Sequence, residues 1–195
     1  MSLPRSLFSA LRRPLAALLL CVGLCLGWLF GPVPAASASL ENDRYDGNIY
    51  SLYAGNGSLV PPRGSVATAR AQQRVAVIVY YLDDSSASKR FAPVVSELQR
   101  VWGQAIELIP LATDPLQNRA DGGPDDPAHY WKGLIPQVVV LDPQGRVAFD
   151  ASGQVSVDAI NAAVSKASGI PLAAGGRSGT TVSFNELNAE VVSAP

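Results

Sequence analysis

One uninterrupted apolar run, Val75-Ala76-Val77-Ile78-Val79-Tyr80-Tyr81, constrains the fold of this chain more than any other feature. Its β-branched and aromatic residues favour a strand, and the absence of polar alternation is typical of a strand buried on both faces. A strand of that kind lies inside a sheet that is covered on both sides. The run therefore predicts an α/β domain with this strand at its centre.

A long amphipathic helix is predicted after the run. Apolar residues recur at the spacing of a helix with one wide buried stripe, and they are Phe91, Val94, Val95, Leu98, Val101 and Trp102. The spacing predicts a helix over Ala87 to Trp102. Pro93 lies inside it and must remove a backbone hydrogen bond and bend the axis, at a cost of about 3 kcal/mol unless the fold uses the bend.

Shorter patterns complete the order of elements. They predict a short helix over 65–73, a second strand over 106–109, a loop over 114–127, a short helix from Asp126-Pro127 through Lys132, a hairpin of 137–141 with 146–151, and a last helix capped by Ser156.

The N-terminal segment has the order of an export signal. Three arginines, Arg5, Arg12 and Arg13, precede an apolar run from Leu15 to Phe30, and Ala36-Ser37-Ala38 supplies a cleavage site. As a helix the run rises about 24 Å, short of the ~30 Å hydrocarbon core, so cleavage is favoured over retention as an anchor. We predict a signal peptide or membrane anchor over 1–38, an irregular lead-in over 39–64, a folded domain over 65–169, and a linker with a C-terminal tail over 170–195.

Charge and cysteine content exclude several function classes. Three of the 15 Lys/Arg lie in the leader, which leaves 12 against 16 Asp/Glu, and this balance argues against binding nucleic acid. Both cysteines, Cys21 and Cys25, lie in the apolar run of the leader. The rest of the chain therefore has no thiol for a disulfide, thiol exchange or sulfur ligation of a metal.

Two separated motifs resemble the thioredoxin fold. Ser88-Lys89-Arg90-Phe91-Ala92-Pro93 resembles the Cys-Lys-x-x-Ala-Pro segment that opens the kinked helix of thioredoxins. Gly133-Leu134-Ile135-Pro136-Gln137 is similar to the thioredoxin segment whose proline is cis and faces the active-site motif across a groove. The resemblance covers about 65–169. It implies a thioredoxin-like α/β domain, with a central mixed β-sheet flanked by helices, and a cis peptide bond before Pro136.

The chain also resembles the cyanobacterial thioredoxin-like thylakoid photosystem I accumulation factors, in the runs Leu52-Tyr53-Ala54-Gly55-Asn56-Gly57-Ser58-Leu59-Val60-Pro61-Pro62-Arg63 and Phe91-Ala92-Pro93-Val94-Val95-Ser96-Glu97-Leu98. This resemblance implies a thylakoid membrane or lumenal location, whereas the export signal alone also allows the periplasm. It implies a role in photosystem I accumulation or assembly. The implied partners are photosystem I subunits or other thylakoid proteins, with membrane association through the N-terminal segment.

The chain differs from thioredoxins at the residues that carry out their redox chemistry. Ser85, Ser86, Ala87 and Ser88 stand where thioredoxins carry Cys-Gly-Pro-Cys. A hydroxyl cannot replace a thiolate in disulfide exchange. Val79 stands where thioredoxins keep a buried acid, and Asp84 replaces the tryptophan before the motif. We expect a protein that is not an enzyme, with no catalytic residue, cofactor or metal.

A groove beside Pro136 is the candidate protein-binding site. Its predicted residues are Ile135 and Pro136, with Tyr130 and Trp131 beside them and the Ser85-Ser86-Ala87 loop opposite. The two aromatic residues could equally pack on the sheet or form a contact surface. Two other hypotheses remain. One is a thiol-disulfide oxidoreductase or redox regulator of the thylakoid lumen that uses Cys21 and Cys25, and the other is a structural module that docks the C-terminal tail.

Other polar residues are given structural roles. Lys89 is expected on the exposed face of the helix start and Ser85 as a helix cap, rather than as a nucleophile with its base. The lone His129 has no partners for a metal or catalytic set, and the aspartates at 121, 125 and 126 favour a solvated turn over a calcium loop. Asp83 and Asp84 are expected to interact with the helix dipole.

Overall fold

Strand β1 (Ala76–Tyr81) lies in the middle of a four-stranded sheet, as its apolar run predicts. The structure is a computed structural model that describes residues 38–172, and every residue of β1 in it is buried. Strand β2 (Glu107–Ala112) pairs with β1 in parallel. Strand β3 (Gln137–Leu141) pairs with β1 antiparallel on the other side, and β4 (Val147–Ser152) pairs antiparallel with β3. The strand order is β2-β1-β3-β4.

Helices cover both faces of the sheet. The helices of the described residues are α1 (Ile49–Ala54), α2 (Val66–Ala71), α3 (Ser86–Trp102) and α4 (Val157–Ser168), with 3-10 turns at Gly57–Leu59, Asp114–Leu116 and Pro127–Tyr130. Alternate residues of β1 divide between two apolar layers. Val77 and Val79 pack with α1, α3 and α4, while Ile78 and Tyr80 pack with α2 and the segment that leads to β3. Burying an aliphatic or aromatic side chain contributes about 1.5–3 kcal/mol, so the two layers stabilise the sheet together.

The topology is that of the thioredoxin fold, which confirms the predicted fold class. The β1–α3–β2 unit supplies the parallel pair, and the β3–β4 hairpin followed by α4 supplies the antiparallel half. This arrangement puts the end of β1, the start of α3 and the start of β3 at the same end of the sheet, because Tyr80 pairs with Gln137.

Helix α3 forms where the apolar stripe predicts it. Ser85 caps it by accepting a hydrogen bond from the Ser88 N–H, and Pro93 lies inside it. The stripe residues Phe91, Val95 and Leu98 are all buried. At the far end, Trp102 Nε1 donates to Asn161 Oδ1 at 2.8 Å and so ties α3 to α4.

The prediction of an irregular lead-in over 39–64 is wrong for its central part. Asn48 caps α1 by accepting from the N–H groups of Tyr50 and Ser51, and Gly55 ends it with a φ of 60°. Ile49 and Tyr50 are fully buried in the layer that α3 occupies. Six residues are too few to show helical periodicity in a sequence, so only the capping residues could have indicated this helix.

Smaller differences concern the ends of elements. Strand β2 runs three residues further than predicted, to Ala112. The short helix predicted through Lys132 is a 3-10 turn that ends at Tyr130. The predicted leader and the tail after residue 172 lie outside the described residues. Among residues 38–172, no helix has the length and apolar character needed to cross a membrane.

Candidate functional site

The serines at the redox positions have structural hydrogen bonds. Ser85 Oγ accepts from the backbone N–H of Ser88 at 3.3 Å, which caps α3. Ser88 is buried, and its Oγ accepts from the backbone N–H of Leu82 at 3.1 Å. Both hydroxyl oxygens therefore hold the turn between β1 and α3 in place. No base lies beneath them at Val79, which is itself completely buried.

The two residues between these serines are bound through their backbones. The Ser86 N–H donates to Asp43 Oδ1 at 2.7 Å, and hydrogen bonds from Ser86 lower the pKa of Asp43. The Ala87 carbonyl accepts from Gln154 Nε2 at 2.8 Å. The motif is thus held from two sides by distant segments, one before α1 and one between β4 and α4.

Lys89 is buried, which corrects the expectation that it is exposed. Its side chain has no exposed surface. Five oxygens lie within 3.3 Å of its Nζ, namely Ser39 O, Asn42 O, Asn42 Oδ1, Arg44 O and Asp46 Oδ2. All five belong to residues 39–46, which we call the strap. A buried ammonium must be paired and hydrogen-bonded, and the strap meets both requirements.

Asp46 is the anionic partner of Lys89. Its Oδ2 lies 2.5 Å from Lys89 Nζ and also accepts from the Tyr53 hydroxyl at 2.7 Å. The hydrogen bonds from Lys89 and Tyr53 lower the pKa of Asp46 to about 2. Lys89 Nζ also lies 5.7 Å from the centre of the Tyr53 ring, within the range of a cation–π contact. The strap is therefore linked to both α3 and α1.

The strap makes one further ion pair with α3. Glu41 Oε2 lies 3.5 Å from Arg90 Nη1, and both side chains are exposed. An exposed pair of this kind contributes little to stability. Asp46, Asp43 and Glu41 nevertheless each meet a donor in the first part of α3.

The segment around Ile135 and Pro136, which we call the groove segment, lies at the same end of the sheet as the serine motif. The Ile135–Pro136 peptide bond is cis, as the resemblance predicted. The Pro136 carbonyl accepts from the Gly153 N–H at 2.8 Å, and the neighbouring Gln154 reaches Ala87. Residues 153–154 thus connect the groove segment to the motif.

Ile135 presents unused backbone groups. Its N–H and carbonyl have no hydrogen-bond partner within residues 38–172, and its side chain is half-buried. The adjacent Leu134 is 56% exposed. An extended polypeptide could pair with these backbone groups as an added strand.

Gln137 positions the loop that leads to Ile135. It is completely buried, and its Nε2 donates to the Tyr130 carbonyl at 2.9 Å and to Asp150 Oδ1 at 3.0 Å. Its Oε1 accepts from the Lys132 N–H at 3.0 Å. Lys132 Nζ in turn lies 2.7 Å from Asp150 Oδ2. These hydrogen bonds hold Tyr130 and Lys132, which precede the loop that leads to Ile135.

The two aromatic residues before the groove are mainly packing residues. Tyr130 is buried in the layer beneath α2, and its hydroxyl donates to the Pro124 carbonyl at 2.8 Å. Of the two roles that the sequence leaves open for Tyr130, its burial favours packing on the sheet. Trp131 packs partly against the same layer, and its buried Nε1 has no partner among the described residues.

The remaining polar candidates lie away from the motif or serve other elements. Asp83 Oδ1 accepts from the Ile49 N–H at 3.4 Å, so it serves the start of α1 rather than α3, and burial raises its pKa. His129 Nδ1 lies 2.8 Å from Asp121 Oδ2 in an exposed loop. Within residues 38–172, no group of three His, Cys, Asp or Glu side chains is placed to hold a metal.

Four contacts of the site escaped sequence reasoning, those of Asp43, Asp46, Gln137 and Gln154. The acidic and amide-rich run from Glu41 to Asp46 was the available signal for the first two. Gln137 is a polar residue inside an apolar run, and such a residue is buried only when it is satisfied. Nothing in the sequence around Gln154 indicates its contact.

The fold and the site define a thioredoxin-fold domain whose motif carries serine in place of cysteine. Thylakoid membrane protein slr1796 of Synechocystis sp. (strain ATCC 27184 / PCC 6803 / Kazusa) is 41% identical to this chain over 126 residues. The match covers 65% of this chain and 63% of that protein, so it spans less than two thirds of the relative's length.

Other comparisons add little. No protein-family model matches the chain. One chain of a solved structure on the thiol resolving mechanism in yeast mitochondrial 1-Cys peroxiredoxin aligns with 14% identity and a TM-score of 0.39. It covers 51% of this chain and 85% of its own length. The fold assignment rests on the strand order and orientation described above.

Proposed function

We propose that this chain is a non-catalytic thioredoxin-fold protein that binds polypeptide at the thylakoid membrane and supports photosystem I accumulation or assembly. The observation that carries the proposal is the contrast between the serine motif and the neighbouring segment around Pro136. On the motif side the serine oxygens accept structural hydrogen bonds, whereas on the other side the backbone of Ile135 has no partner among the described residues.

The proposed binding mode is strand addition at Ile135. A partner segment in extended conformation would pair its backbone with the Ile135 N–H and carbonyl, and main-chain hydrogen bonds of this kind give affinity without a specific sequence. The exposed Leu134 side chain adds an apolar contact next to them. Gln137 keeps the loop in position for this pairing.

The proposed location follows the relative and the N-terminal segment. The 41% identical relative is a thylakoid membrane protein, and the leader of this chain has the order of an export signal. We place the domain on the lumenal side of the thylakoid, with the leader cleaved or retained as an anchor. The photosystem I role is supported by the resemblance in the runs 52–63 and 91–98.

Two measurements test this proposal. In cells that lack the chain, we expect the amount of photosystem I to fall relative to photosystem II, and re-expression should restore it. A tagged chain recovered from detergent-solubilised thylakoids should bring photosystem I subunits with it, and the intact mass of the recovered chain reports whether residues 1–38 remain. Normal photosystem I content together with no co-purifying thylakoid protein would contradict the proposal.

A further inference from the structure

The strap is held to α3 by hydrogen bonds and ion pairs of Asp46, Asp43 and Glu41. None of residues 38–48 is buried, whereas Lys89 beneath the strap has no exposed surface. A segment without a fully buried side chain has low local stability and can open while the rest of the fold stays closed. The strap is therefore suited to detach without unfolding the sheet.

Detachment of the strap would uncover three donors close together on α3. They are the ammonium of Lys89, the backbone N–H of Ser86 and the guanidinium of Arg90. In the structure each of them faces a carboxylate of the strap, which is Asp46, Asp43 and Glu41 respectively. Two of these three donors are cations, so their charge complement is an acidic segment.

The ligand type follows from the oxygens around Lys89. Three of the five are main-chain carbonyls, those of Ser39, Asn42 and Arg44. A polypeptide supplies carbonyls and carboxylates together along one extended segment. A free anion such as phosphate supplies only its own oxygens and could not reproduce the contacts at Ser86 and Arg90 at the same time.

We propose that a partner polypeptide displaces the strap. An extended acidic segment of that partner then binds Lys89, Ser86 and Arg90 in its place. This inference rests on the proposed function in that the ligand is a polypeptide. It adds a second contact surface beside Ile135 and the chemistry of the segment that binds there. The strap itself describes the pattern, with carboxylates at positions 41, 43 and 46.

A peptide added in trans tests this inference. The probe is a fluorescent peptide with the sequence of residues 39–48, SLENDRYDGN, and the matched control is SLQNNRYNGN, in which amides replace the carboxylates. The proteins are the full chain and its Asp46→Asn variant in detergent. We expect Asp46→Asn, whose own strap is weakened, to bind the acidic peptide at least tenfold more tightly than the wild type does.

Two comparisons make the result specific. Asp46→Asn should prefer the acidic peptide over the amide peptide by at least tenfold, and adding Lys89→Met should remove that preference. Equal binding of the two peptides, or a preference that survives Lys89→Met, would overturn the inference. Peptide binding is measured separately from the recovery of photosystem I subunits, so a failure here does not count against the groove and a failure of the groove does not count against the strap.

Hydrogen exchange on the unaltered chain covers the case in which Asp46→Asn does not fold. We expect the backbone amides of Ser39, Glu41 and Ser86 to exchange at least 100-fold faster than those in the middle of α3. Excess acidic peptide, but not the amide peptide, should further speed the exchange of the strap amides. Strap amides that exchange only as slowly as the middle of α3 would show that the strap does not detach, and the inference would fail.

Discussion

Lys89 Nζ lies 2.5 Å from Asp46 Oδ2, although the two residues are 43 positions apart and one of them has no exposed surface. This contact joins the segment after the predicted cleavage site to the helix that carries the serine-substituted motif. Lys89, the residue directly after Ser88, is thereby engaged in a contact within the chain.

Acid should release the strap before it unfolds the domain. The pKa of Asp46 is about 2 in the folded chain and is lowered from an ordinary value of 3.8. Because the folded-state pKa is the lower one, the stabilising contribution of Asp46 is complete above about pH 4 and is lost as the pH falls towards 2. We expect hydrogen exchange or pepsin cleavage at residues 39–48 to increase in that window while β1 stays protected. Loss of protection in the strap and in β1 at the same pH would contradict this.

Lys89→Met should free the strap with a small effect on the rest of the fold. Methionine keeps most of the apolar stem but removes the donor to five oxygens, and it also removes the cost of burying a charge. We expect trypsin cleavage at Arg44 to speed up at least tenfold, and the free energy of unfolding in urea to fall by only about 1–2 kcal/mol.

The matched control for this variant is Arg90→Met. It breaks only the exposed contact with Glu41 and should leave cleavage at Arg44 within twofold of the wild type. If Arg90→Met frees the strap as much as Lys89→Met does, the buried ammonium is not what holds it.

These strap contacts show where sequence reasoning stops. Periodicity predicts β1 and α3 because the pattern of apolar residues is local, and the cap at Ser85 is also a local signal. The surroundings of Lys89 depend on residues 43 to 50 positions away, in a polar segment without a repeat. A lysine at the start of a helix is normally exposed, and only the folded chain shows that another segment covers it.

The candidate groove was also predictable from the sequence only in part. The motif around Pro136 predicted the place of the groove, and the serines at 85 and 88 predicted that thiol exchange is absent. Sequence reasoning left Tyr130 between two roles, because an aromatic residue suits a core and a contact surface equally well. Its position is decided by the sheet beneath it, together with the carbonyl of Pro124 that accepts its hydroxyl hydrogen.

Gln137→Leu should loosen the groove from within. The substitution leaves the Tyr130 carbonyl and the Lys132 N–H without their buried partner, and each group left unpaired costs about 1–3 kcal/mol. We expect a lower urea midpoint together with faster exchange of the Lys132 amide, which donates to Gln137 Oε1 in the wild type. An unchanged exchange rate of this amide would show that Gln137 does not position the loop.

Redox chemistry should be absent whether or not the leader cysteines are present. We expect the full chain and its Cys21→Ser/Cys25→Ser variant to reduce insulin at the same background rate, because the described domain has no thiol. Turnover by the full chain that disappears in the variant would favour the oxidoreductase hypothesis instead.

Two variants, Ile135→Asp and Val147→Asp, decide whether the groove binds the partner. The measurement is the amount of photosystem I subunits that each variant recovers. Val147 is a matched control, since it is 51% exposed and lies at the other end of the sheet, paired with Leu141. Both variants should fold, because a charge at an exposed or half-exposed site costs little stability. We predict that Ile135→Asp recovers at least tenfold less photosystem I protein from solubilised thylakoids than Val147→Asp does. Equal recovery by the two folded variants would contradict binding at Ile135 and would place the binding surface elsewhere on the chain.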